Sequence, residues 1–134
     1  MKKLLLLLIP LLLNFGCSRE DSPEPPAVNK FAGKWSGNLF SDKFCSANGG
    51  TWVLEIDGNG KLKNSVFNIS NGTPVNISGQ ITIGQPSNYA TITGKYLKGG
   101  AEYDITATIW DDGQLSGRWD NGKPEQDCWR GSKQ

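Results

Sequence analysis

Two stretches of this chain alternate between apolar and polar positions with a period of two. Val75, Ile77, Gly79, Ile81 and Ile83 alternate with Asn76, Ser78, Gln80 and Thr82. Ala101, Tyr103, Ile105, Ala107 and Ile109 alternate with Glu102, Asp104, Thr106 and Thr108. Such a period puts all the apolar side chains of a strand on one face. Trp52, Leu54 and Ile56 repeat the theme, as do Ala90, Ile92, Gly94 and Tyr96, and no stretch carries a helical period. Turn signals divide the pattern: Asp57-Gly58-Asn59-Gly60, Ser70-Asn71-Gly72, Gln85-Pro86-Ser87-Asn88, Lys98-Gly99-Gly100, Asp111-Asp112-Gly113 and Asp120-Asn121-Gly122. They predict eight strands, near 34–40, 51–57, 61–69, 74–83, 88–97, 101–110, 114–119 and 126–132. In the third, Phe67 and Ile69 are out of phase with Leu62 and Val66, which predicts a bulge.

Short sequential antiparallel strands with tight hairpins predict an all-β fold. An eight-stranded up-and-down barrel fits best, because closure removes both open edges. A β-sandwich is the competing architecture. Trp35-Ser36-Gly37, Gly117-Arg118-Trp119 and Trp129-Arg130-Gly131 put Gly and Trp on the same face of their strands. Glycine opposite an indole lets a small barrel bend and fill. Gly33-Lys34-Trp35 on the first strand, with Arg130 on the last, resembles the lipocalin and avidin superfamily. That resemblance implies that Trp35 closes one barrel end and packs under Arg130. The chain lacks the helix that follows the barrel in lipocalins and the biotin-site residues of avidins, so no ligand carries over.

The first 29 residues follow a different pattern. Lys2 and Lys3 precede an apolar run, Leu4 to Leu13, that contains Pro10. The run is well short of the about 20 apolar residues of a spanning helix and reads as the core of a signal peptide. Gly16-Cys17 resembles the lipobox of bacterial lipoproteins, with Asn14 where that motif usually carries Leu. The resemblance implies cleavage before Cys17, acylation of its sulfur and amino group, and attachment to a membrane through the lipid. The chain then divides into a signal peptide (1–16), a lipidated cysteine with a proline-rich tether (17–30) and a barrel domain (31–134). Ser18-Arg19-Glu20-Asp21 resembles a short acidic surface-export signal, though a plain solvated tether has the same composition. The expected place is the bacterial cell envelope, as an outer-membrane lipoprotein on either the periplasmic or the outer side.

Charge and composition narrow the chemistry. Beyond residue 16 the basic side chains number 12 against 13 acidic ones, a net of −1, and this near-neutral domain has no electrostatic footprint for nucleic acid. There is no histidine, which removes His general bases and most zinc sites. With Cys17 lipidated, Cys45 and Cys128 remain as a pair, read as a disulfide or, alternatively, as two buried thiols. The bridge would stabilise the domain by about 4.5 kcal/mol in the chain-entropy model. Adjacent Asp111 and Asp112 suit a turn better than paired acid–base work, so no enzyme, cofactor or metal is expected.

Trp110 falls on the polar phase of its strand, as do Tyr89 and Phe40. Trp110, Asp111 and Asp112 are therefore the candidate binding residues, with the loops Asp42–Gly50 and Asp111–Gln114 as the rim. The expected interior is mostly filled. The expected function is a non-catalytic binding module for a small ligand or a protein. The alternative is an envelope inhibitor or interaction protein acting on a secreted hydrolase.

Overall fold

The computed structural model describes residues 30–134; Cys17, the signal peptide and most of the tether lie outside them. Eight strands follow one another: β1 (Gly33–Phe40), β2 (Asn48–Ile56), β3 (Leu62–Ile69), β4 (Val75–Ile83), β5 (Tyr89–Lys98), β6 (Ala101–Trp110), β7 (Gln114–Trp119) and β8 (Asp127–Lys133). Each pairs antiparallel with its neighbour, and β1 pairs with β8, Trp35 facing Lys133 and Leu39 facing Trp129. The barrel is closed, which excludes the sandwich. Every strand therefore has two partners and none offers a free edge.

Two bulges adjust the predicted phase. In β3 the pairing steps from Val53–Val66 to Glu55–Lys63, with Asn64 in a left-handed conformation (φ 46°). That extra residue lets Leu62 and Phe67, five apart, both face inward. In β2, Leu39 faces Gly50 but Phe40 faces Asn48, so Gly49 is left over and the strand begins three residues earlier than the alternation predicts.

The interior is a column of aromatic rings. Trp52 meets Trp129 edge-on at 5.1 Å between centroids, and Phe67 meets Trp129 at 5.3 Å, Trp119 at 5.8 Å and Tyr96 at 5.8 Å. Edge-to-face contacts of this kind add about 0.5–1.5 kcal/mol each to the burial itself. The edges of the indoles press against bare backbone. A β-carbon on Gly117 would sit 2.2 Å from Nε1 of Trp129, and one on Gly131 would sit 2.4 Å from Cζ2 of Trp52. Close approach also satisfies the ring donors. Nε1 of Trp52 donates to the carbonyls of Asn38 and Arg130, both at 3.2 Å, and Nε1 of Trp129 donates to those of Thr106 (3.0 Å) and Arg118 (3.1 Å). Each indole thus ties two neighbouring strands to its own. Among the described residues no buried side-chain nitrogen or oxygen lacks a partner.

Candidate functional site

In an up-and-down barrel, loops that follow odd strands lie at one end and loops that follow even strands at the other. The proximal end is where the chain joins the barrel at Lys30. It carries the loops after β2, β4 and β6, together with the carboxy terminus. The distal end carries the loops after β1, β3, β5 and β7.

The proximal end is sealed. Phe31 and Trp35 are fully buried, and Nε1 of Trp35 donates to the Phe31 carbonyl at 2.9 Å. Lys133 stands over the Trp35 ring, its Nζ 6.0 Å from the centroid, and donates to the Lys30 carbonyl at 3.0 Å. The cation over Trp35 is therefore Lys133. Arg130 lies outside the wall, facing Asn38 and Ser116 across its two ladders. Gly33, in a left-handed conformation (φ 121°), leaves the space that the Lys133 stem occupies, with Cε 3.3 Å from where a β-carbon would stand.

Trp110, Asp111 and Asp112 lie at this same proximal end. Trp110 is 37 % exposed and faces Tyr89 on the outer wall. The Asp112 carboxylate accepts the Gln114 amide at 3.0 Å, and the Asp111 amide donates to the Asn88 carbonyl at 2.9 Å. Asp112 shapes the β6–β7 turn, and Asp111 ties that turn through its backbone to the β4–β5 loop. The structure does not bring them to the Asp42–Gly50 loop. That loop follows the odd strand β1, whereas Asp111 follows the even strand β6, so a barrel length separates the two. The parity of the strand count already contained this separation.

The distal end holds the more constrained loop. Ser41 to Ala47 connects β1 to β2 and is closed at its base by the Ser41 amide donating to Ala47 O at 2.9 Å. Within it the Cys45 amide donates to Asp42 O at 3.3 Å, making a turn with Lys43 and Phe44 at its tip. The Asp42 carboxylate accepts the amides of Ser46 (2.8 Å) and Ala47 (3.1 Å) and the Ser46 hydroxyl. These bonds, the Ser46 hydroxyl foremost, hold its carboxyl below the usual aspartate range. Cys45 is bridged to Cys128 on β8, with Cα atoms 5.3 Å apart. Arg118 on β7 donates to Lys43 O at 2.8 Å.

The β7–β8 loop, residues 120–126, braces this loop from the side. Lys43 pairs with Glu125 at 2.9 Å, and Lys123 reaches Ser41 O at 3.3 Å and the buried Asp127 at 3.4 Å. Asn121 also donates to the Asp127 carboxylate, and the Tyr96 hydroxyl donates to Asp120 O. Burial of the Tyr96 phenol pushes its pKa far up, so it stays a donor. A groove of about 520 Å³ runs between the two loops, lined in part by Phe44 and Pro124. Phe44 itself is 75 % exposed. Sequence reading named its loop but not this ring; an aromatic directly before a bridged cysteine is the signal that marks it.

Chemically the arrangement offers contact surface. Among the described residues no three His, Cys, Asp or Glu side chains converge. Comparison with protein families, curated proteins and solved structures found no match.

Proposed function

We propose that this chain is a lipid-anchored, non-catalytic interaction module of the bacterial envelope, with a barrel of the lipocalin type that meets its partner through loops and outer wall. The observation that carries this reading is the aromatic column of Trp52, Phe67, Trp119 and Trp129, which fills the space a carried ligand would need. Eight strands enclose only enough room for side chains or for one small ligand. The sealed proximal end, with Trp35 beneath Lys133, supports the lipocalin and avidin likeness in general plan. Anchoring rests on Cys17 and its flanking sequence. A filled barrel also favours the interaction-protein reading, inhibition of a secreted hydrolase included, over the small-ligand carrier.

Titration of the purified protein with an anilinonaphthalene sulfonate dye and with palmitate tests this. The expected result is no saturable binding and no quenching of the tryptophan fluorescence. Stoichiometric uptake that quenches the buried indoles would return the carrier reading in place of this one.

A further inference from the structure

Phe44 combines two properties that seldom coincide. Its loop is held from every side, yet its ring adds nothing to the core. A closed base, a tip turn, the Asp42 carboxylate, a disulfide and the Arg118 guanidinium all fix the backbone around it. Cys45, the next residue, is kept in a left-handed conformation (φ 56°) that a side chain-bearing residue adopts at a cost. Ordering a loop beforehand removes the entropy loss that binding would otherwise incur. That gain is realised only if the residue on display meets something.

We propose that the Asp42–Ala47 loop is a preformed docking element that seats the Phe44 ring in an apolar pocket of a second protein. This rests on the interaction-module reading and names its contact. The ring sits at the tip of its turn, beside the groove between the two loops, so a partner's pocket would close over it from the solvent side. With Phe44 75 % exposed, most of its area is free to be buried by a partner. Lys43, whose Nζ lies 5.2 Å from the ring centroid, flanks it with a cation held by Glu125, which suits a polar rim around an apolar centre.

Position in the molecule selects a protein over a lipid surface. The tether joins at Lys30 on the proximal end, while Phe44 projects from the distal end. In the lipid-anchored reading proposed above, attachment before Lys30 leaves the distal end as the one farther from the anchor. Trp110, on the proximal end, is the aromatic placed to face a bilayer instead.

The test uses the full chain in the cells that make it. A photoreactive benzoylphenylalanine is placed at position 44, at 110 or at 73 in the β3–β4 loop. The protein captured from position 44 is then purified and titrated against the wild-type chain and against Phe44→Ala, Phe44→Leu and Trp110→Ala. The expected result is a protein adduct at 44, a loss of about 30-fold or more in affinity for Phe44→Ala, partial rescue by Phe44→Leu and an unchanged Trp110→Ala. Because Phe44 is exposed, Phe44→Ala should unfold at the wild-type denaturant midpoint. An adduct at 44 only to lipid or to a second copy of this chain overturns the proposal, as does equal affinity of Phe44→Ala. A protein adduct at 110 or 73 alone overturns this loop and leaves the module reading standing. No protein adduct at any of the three overturns both.

Discussion

Lys133 and Arg130 are three residues apart on β8, and a difference in phase gives them opposite roles. Trp129, Gly131 and Lys133 share one phase, which brings the exposed Lys133 over Trp35 at the barrel's end, while Arg130 and Ser132 take the other. Alternation alone therefore assigns the cation over Trp35 to Lys133, and the motif resemblance misassigned it because it looked for arginine. The glycine–indole pairing was legible in the sequence, since Gly117 and Gly131 share a phase with the tryptophans beside them. How tightly they pair was not, because it depends on which strands become neighbours. A β-carbon on Gly131 would stand 2.1 Å from Ser36 O and 2.4 Å from Trp52 Cζ2, and neither backbone nor trapped indole can move aside cheaply. Gly131→Ala is expected to cost about 3 kcal/mol or more, at or above the upper end for overpacked cores. Gly58→Ala, with nothing within 4 Å, should stay within about 0.5 kcal/mol of wild type. Urea denaturation of the two variants side by side measures the contrast.

At the scale of elements, all eight strands and the β3 bulge could be read from periodicity. The early start of β2 could not, because the Gly49–Gly50 bulge interrupts the alternation just where the strand begins. The two rim loops were assigned to one site because turn chemistry carries no information about which end a loop occupies; counting strands supplies it. The β1–β2 loop is the element with the most to measure. Replacing Cys45 and Cys128 together by Ser should lower the unfolding free energy in guanidinium by about 2–5 kcal/mol. The ladder between β1 and β8 should persist, since its pairing from Trp35 to Leu39 does not pass through the bridge. Loss of cooperative unfolding in that variant would show that closure itself depends on the disulfide.

Acid should loosen the same loop. The Asp42 carboxyl is held below its ordinary pKa in the folded state. Its contribution is therefore complete above the ordinary aspartate value of about 3.9 and disappears as pH falls through the lowered folded value. An NMR titration is expected to show the amides of Ser46 and Ala47 moving together with a midpoint below about 3.9. A midpoint at or above that value would mean that the carboxylate does not cap the loop.

The whole molecule reads as a short, filled barrel with unlike ends. Barrel rather than sandwich was decided by the pairing of β1 with β8, a contact between the first and last strands that no local pattern encodes. The identity of a partner is not written in periodicity at all, because surface residues such as Phe44 obey no burial constraint. The proposed lipid anchor belongs to this scale too. Cys17→Ala is expected to move the protein from the membrane to the soluble fraction, or to leave it as an unprocessed precursor of higher mass. Unchanged membrane fractionation with normal processing would sever the anchor from Cys17.

The position of β1 between β2 and β8 has a mechanical consequence. A partner gripping the Asp42–Ala47 loop, while the chain is held before Lys30, would load β1 lengthwise between its two ends. The ladder bonds on both its flanks run across that direction, so they would resist together in shear instead of opening one after another. The Cys45–Cys128 bridge passes part of the tension to β8, which is itself laced to β7. Pulled from its tip, the barrel should behave as a stiff link between the Asp42–Ala47 loop and the point where the chain enters at Lys30.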